Sequence, residues 1–286
     1  MRMPNTTSHY YLFLQDGIPI QSSGFFNHNA LAFTSFETAS SVEVLKGAGS
    51  ALYGSDAVAA TVNVSSLEKP SKELEREIET SVGSFGFYTT KANISDTINK
   101  DSSYRANVSY TSEDGYREHT SYDRIETNFR YDTKYNDENY LKTVFNFTKS
   151  EADQADSFSD YSYIKNDSKE ASNKPAFYTA LNSTDIVRKF DFARLSTDWS
   201  NYSNDNLEIV VTPYIRFNEN RYVATWEKNL PSNDNKIYTA GLLQRNTLGT
   251  SYGEVIFGFD TEYTESSQLT NQDFDITASR KNYKKG

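Results

Sequence analysis

The chain has 286 residues, a formal net charge of −10 and no cysteine. Without cysteine there is no disulfide frame and no thiolate metal site. The acidic balance, with no basic stripe, excludes the usual footprint of a nucleic-acid binder.

Mean hydropathy is −0.71, and no run reaches the ~18 apolar residues of a membrane helix. Barrel strands alternate lipid-facing and lumen-facing residues, which also keeps mean hydropathy low. Tyr (21) and Phe (18) are abundant and Trp (2) is scarce, a composition that suits outer-membrane barrels and soluble β-sandwiches alike. The length allows one large β domain or two ordinary ones.

Met1-Arg2-Met3-Pro4-Asn5 opens the chain without the apolar core of a signal peptide. Residues 10–20 read Tyr-Tyr-Leu-Phe-Leu-Gln-Asp-Gly-Ile-Pro-Ile. They predict a strand, a turn at Asp16-Gly17 and a new extended start at Ile18-Pro19. Gln21–Asn29 is a polar, aromatic loop, and residues 30–41 suit a short helix or turn.

An apolar strand with Val42, Val44 and Leu45 then runs into Gly47, Gly49 and Gly54, and the chain returns through Val62-Asn63-Val64. Glycines so spaced permit positive φ and close backbone approach. A phosphate loop fails on detail, because Gly49-x4-Gly54 is followed by Ser55-Asp56 with no lysine. A dinucleotide fingerprint fails because Leu52 stands where its third glycine belongs. A tight corner between two strands in a small domain remains open on these residues alone.

Leu67–Lys72, with Pro70, reads as a linker, and period-two strands follow from Leu74 onward. Ile125, Thr127, Phe129 and Tyr131 oppose Arg124, Glu126, Asn128 and Arg130. Leu207, Ile209, Val211, Pro213, Ile215 and Phe217 line one face of another strand. Val255, Phe257, Phe259 and Tyr263 oppose Glu254, Asp260 and Glu262. The alternation predicts about nine strands, near 73–83, 86–96, 102–112, 121–132, 139–150, 189–201, 206–226, 237–250 and 254–265. Short turns are expected at 97–101, 134–138, 202–205 and 251–253, and longer ones at 113–120, 151–188 and 227–236. Barrels of the outer membrane show this asymmetry. Ionised groups in the polar rows fit a water-filled lumen and not a packed sandwich core.

The string Val42-Glu43-Val44-Leu45-Lys46-Gly47-Ala48-Gly49-Ser50-Ala51-Leu52-Tyr53-Gly54-Ser55-Asp56-Ala57, closing in Val62-Asn63-Val64, closely resembles the end of the plug domain of TonB-dependent outer-membrane receptors. Ala48 stands where that family usually has Pro, and Ala59-Ala60 where it usually has a Gly pair. The Asp16-Gly17-Ile18-Pro19-Ile20 element is similar to a second plug signature of the family.

The resemblance implies a mostly β chain forming part of a plugged antiparallel transmembrane barrel. Residues 1–68 would be the C-terminal part of the plug and residues 69–286 the first part of the barrel. Plugged transporters are 22-stranded, so the chain is expected to be truncated at both ends. Two open sheet edges are not tolerated in a bilayer, so this polypeptide is not expected to function alone. Gln268–Gly286 would begin a further external loop.

By the same resemblance the protein is a transporter of the Gram-negative outer membrane, embedded in its lipid. It would take up a bulky, scarce solute, an iron–siderophore complex first among them. A TonB-type energy-coupling protein would be its partner, with the contact segment missing here. A passive porin and a surface receptor or adhesin are the alternatives, and the plug speaks against the first. Phe25, Phe26, Asn27 and His28 are candidate solute contacts from the plug, although Phe25 and Phe26 read equally as plug packing. Phe158, Tyr161 and Tyr163 are candidates from the external loop 151–188, which also reads as a mobile polar loop. Glu43, Lys46, Glu113 and Arg117 are candidate plug–barrel contacts. Gly47, Gly49, Tyr53, Gly54 and Asn63 carry the plug motif.

His9, His28 and His119 show no metal-ligand spacing, and no nucleophile elbow or zincin signature occurs. No enzyme, cofactor or metal site is expected.

Overall fold

The structure is a computed structural model that describes residues 10–22, 30–54, 56–156, 167–182, 186–223, 231–271 and 282–283. Its first part is a four-stranded sheet of β1 (Tyr11–Gln15), β2 (Ile18–Pro19), β3 (Ser41–Lys46) and β4 (Ala60–Ser65), in the order β2-β1-β4-β3. β1 runs parallel to β4, and β3 pairs antiparallel with β4. The β1–β2 connection is the two-residue hairpin expected at Asp16-Gly17. Both residues have positive φ (53° and 81°), as a type I′ turn demands. Two one-turn helices, α1 (Ala30–Phe33) and α2 (Ser50–Tyr53), lie between the strands. Leu12, Leu14 and Ala57 form the core of this N-terminal unit, with Tyr53 packed against them.

The second part is an antiparallel meander in strict chain order. It comprises β5 (Glu75–Val82), β6 (Tyr88–Asn99), β7 (Ser102–Glu113), β8 (Tyr122–Lys134), β9 (Asn139–Asp153), β10 (Val187–Asn204), β11 (Leu207–Val223), β12 (Ser232–Thr250), β13 (Gly253–Asn271) and the two-residue β14 (Asn282–Tyr283). The nine long strands fall where the alternation predicts them. Two ends run further than expected. β12 begins at Ser232 and β13 continues to Asn271, where Gln268–Asn271 reads as loop in the sequence. These ends pair with each other, from Ser232↔Asn271 onward, and they are too polar to alternate visibly. At one rim the connections are short, at 100–101, 135–138, 205–206 and 251–252. At the other, the segment 154–186 carries a third helix, α3 (Pro175–Leu181), and its Ala171, Phe177, Ala180 and Ile186 cluster with Val223 at the end of β11. Its described part is thus a packed cap and not the loose polar loop its composition suggests.

Burial is inverted relative to a soluble sandwich. On β8 the apolar Ile125 and Phe129 are 37% and 40% exposed, while Glu126 and Asn128 are fully buried. Because side chains alternate across a strand, the apolar row must face outward and the polar row inward. Hydrogen bonds from Asn107 on β7 through Thr264 on β13 reach the N-terminal unit, so the meander wraps around it as a wall. The sequence reading expects water against the polar row, whereas at this level the N-terminal unit takes the water's place.

Among the described residues, one buried hydrophobic cluster joins unit to wall. It contains Ile20, Ala30 and Phe33 from the unit with Phe190 and Phe192 from β10. The ring of Phe33 stands edge-on to Phe190 at 5.2 Å and tilted to Phe192 at 6.2 Å. In the full-length protein, Phe33→Ala is expected to weaken seating of the unit by roughly 3–5 kcal/mol, the usual cost of such a cavity. Limited proteolysis along a urea series checks this, with cleavage in residues 30–65 appearing at lower urea than in the wild type.

Candidate functional site: the seat of the N-terminal unit in the wall

The strand registers bring one row of inward side chains to the same height. Asn107, Asn128 and Asn146 stand opposite one another on β7, β8 and β9. The row continues through Arg194, Arg216, Thr239 and Thr264 on β10 to β13. Neighbours in this belt bond side chain to side chain. Asn128 donates to Asn107 at 3.0 Å, Asn146 to Asn128 at 2.7 Å and Arg194 to Asn146 at 2.5 Å. Arg216 reaches Thr239 at 3.2 Å.

The wall supplies side chains to this interface, and the N-terminal unit answers with backbone groups and with short polar side chains, among them Ser22, Ser35, Thr38 and Ser66. Arg124 donates to the carbonyls of Ala32 (2.9 Å) and Thr34. Arg194 donates to the carbonyl of Gln15, and Arg216 to that of Pro19. Asn218 donates to the carbonyl of Ile20 at 3.1 Å. Glu126 runs the other way and accepts from the backbone N–H groups of Phe36 (3.1 Å) and Thr38 (3.2 Å). Its second duty is an ion pair with Arg124 at 2.6 Å. Buried backbone groups must find partners somewhere, and here the irregular turns of the unit find them in the wall.

Asp16 contributes the unit's main charge. It accepts from Ser66 N at 2.8 Å and from Arg194 Nη2 at 2.6 Å, which places the hairpin turn directly on the belt. Glu37 adds a half-exposed pair with Lys91 at 3.4 Å. Ser22 bonds Thr264 at 2.7 Å and accepts from Arg216 at 2.7 Å.

The motif residues hold the unit's own corner together. Gly47 and Gly54 have φ of 116° and 76°, values that favour glycine. A Cβ on Gly49 would sit 2.9 Å from Thr61 Oγ1. Asn63 Oδ1 accepts from Gly17 N at 2.9 Å and so braces the hairpin. Glu43 and Lys46 lie on β3, exposed along its whole length, and make no ion pair among the described residues. Glu113 ends β7. Arg117 donates to the carbonyls of Asp156 (3.0 Å), Glu170 (3.1 Å) and Ala171 (2.9 Å), and so fastens the cap. Phe25, Phe26, Asn27, His28, Phe158, Tyr161 and Tyr163 lie outside the described residues. His119 Nε2 is 2.8 Å from the carbonyl of Ile186, again in the cap. No cluster among the described residues groups three or more His, Asp or Glu as metal ligands.

Sequence reasoning missed the belt and the pair Arg124–Glu126. Each belt residue is an ordinary polar residue in an alternating strand. Only laying the strands in register brings them to one height. Removing the acceptor while keeping its shape tests the seat. Glu126→Gln in the full-length protein is expected to cost about 3–5 kcal/mol, because Arg124 is left buried without its carboxylate. Urea-dependent proteolysis of the N-terminal unit measures the loss.

Residues 3–61 match the family model of the TonB-dependent Receptor Plug Domain. No curated protein matches the chain in sequence. Among solved structures, the ferric yersiniabactin uptake receptor of Yersinia pestis superposes with a TM-score of 0.74 at 14% identity, covering 91% of this chain and 40% of that one. The unliganded ferric citrate transporter gives 0.72 at 14%, covering 92% and 40%. The ferripyoverdine receptor of the Pseudomonas aeruginosa outer membrane, bound to ferripyoverdine, gives 0.71 at 15%, covering 94% and 38%. The chain thus spans about two fifths of these receptors, as 40% of the first shows. At such identity the likeness speaks for the fold, and the plug model speaks for the family. Residues 3–61 thus match a TonB-dependent receptor plug domain, and they are seated in a wall whose fold these receptors share.

Proposed function

We propose that this chain is the rear of the plug, residues 1–68, and the first strands of the barrel, residues 69–286, of an outer-membrane transporter. The transporter takes up a bulky solute using energy delivered by a TonB-type partner. It makes and breaks no bond in the solute. The observation that carries this reading is the pairing of an outward apolar face with an inward polar face occupied by the plug. An outward row of Ile125, Phe129, Leu195 and Ile215 suits hydrocarbon. An inward row that bonds the plug through exchangeable polar contacts suits a stopper that must move. A porin has no use for such a seat.

An iron–siderophore complex is the leading solute, by analogy with the three receptors above. A copper transporter shares the fold with a TM-score of 0.69 at 13% identity, so copper complexes belong in the test. Phe25, Phe26, Asn27 and His28 of the plug, and Phe158, Tyr161 and Tyr163 of the segment 151–188, are the proposed solute contacts from within and without.

Deletion of the full-length gene, followed by uptake of radiolabelled iron or copper chelates, decides the matter. The expected outcome is loss of uptake of one chelate, return on complementation, and abolition by a protonophore. Uptake of every chelate independent of the gene, or insensitive to the protonophore, would overturn the reading.

A further inference from the structure

The inward cations of the wall fall into two groups. Arg124, Arg130 and Lys142 are neutralised by carboxylates of the wall itself, at 2.6 Å from Glu126, 2.7 Å from Asp132 and 2.5 Å from Asp198. Two inward cations look instead to the plug: part-exposed Lys91 pairs with Glu37 at 3.4 Å, and fully buried Arg194 with Asp16 at 2.6 Å. Arg216 stands at the same height on the next strand, and its nearest carboxylate, Glu262, is 3.6 Å away. Both side chains are fully buried in these pairs. The Nε of each is buried with no hydrogen-bond partner. Their remaining plug partners are the carbonyls of Gln15 and Pro19 and the hydroxyl of Ser22.

Moving the plug takes all of these partners away together. Two adjacent guanidiniums then face the lumen, with Glu262 the one wall carboxylate in an ion pair with either of them among the described residues. Arginine does not escape by losing its proton, and a buried charge without a partner is costly. Planar guanidinium forks bind carboxylates in bidentate fashion.

We infer that Arg194 and Arg216 form a transit site for the carboxylate of an anionic solute, which takes the place of Asp16 while the plug is displaced. The inference rests on the transporter reading and adds a solute class to it, a carboxylate-bearing anion. Return of Asp16 then competes with the solute and ejects it. The exchange moves no covalent bond and no proton, so its chemistry balances as one carboxylate replacing another.

The test uses the full-length receptor in planar bilayers, with the plug displaced reversibly by urea and citrate as a metal-free carboxylate probe. In the wild type, citrate should reduce the current through the opened pore. Arg194→Gln with Arg216→Gln should weaken that block severalfold. Arg194→Lys with Arg216→Lys keeps the charge, retains most of the block and controls for folding. Asp16→Asn should leave the block unchanged and lower the urea needed to open the pore. Equal block in wild-type and double-glutamine pores, or an unchanged opening threshold for Asp16→Asn, overturns the inference. Absence of any urea-opened conductance overturns the transporter reading beneath it.

Discussion

Buried amide and guanidinium side chains on the inner wall need partners, and the backbone of the plug provides them. That single requirement sets the height, orientation and seating of the N-terminal unit. The plug's hairpin turn and the segment around residues 30–38 are short of internal ladder bonds. The wall's polar row is short of water. Each deficit meets the other at Arg124, Glu126, Asn218 and the belt from Asn107 to Arg216. Neither part is satisfied alone.

The same chemistry explains why such a seat can open. A protein–protein hydrogen bond exchanged for one to water changes stability by only ~0.5–1.5 kcal/mol. An apolar interface of equal extent would resist separation in proportion to its area. Among the described residues, the buried apolar cluster that joins plug and wall is the one around Phe33, Phe190 and Phe192. The seat therefore holds by many exchangeable bonds and one greasy detent. Water entering behind a withdrawing plug would replace most of what is lost, and the ring cluster would set much of the remaining resistance.

Much of this architecture was legible in the residues. Period-two alternation located the nine long strands, and Asp16-Gly17 marked its own turn. The glycine-rich corner identified the plug before any coordinates. What stayed hidden depended on register or on tertiary context. The belt is invisible until Asn128, Asn146 and Arg194 are set side by side. The outer ends of β12 and β13 escaped because polar strands paired above an apolar band carry no hydrophobic period. The bonds of Arg117 to the cap carbonyls were hidden for a related reason, since a charged residue after Glu113 does not announce which backbone lies within its reach. Phe190 and Phe192 share the inward parity of Arg194 and Ser196 but are apolar where the inward row is mostly polar, because the aromatic ring of Phe33 waits for them there.

The wall's choice of carbonyl oxygens as targets carries an evolutionary corollary. Every residue type presents the same carbonyl, so plug positions held through it, such as Pro19 and Ala32, can drift without loosening the seat, provided the chain keeps its path. Asp16, Ser22, Phe33, Thr38 and Ser66, whose side chains themselves do the holding, are points where drift should be slow. A fold kept at 14% identity to the yersiniabactin receptor is what an interface written partly in main chain would permit. A plug transplanted from a distant relative would then seat by its contour more than by its spelling.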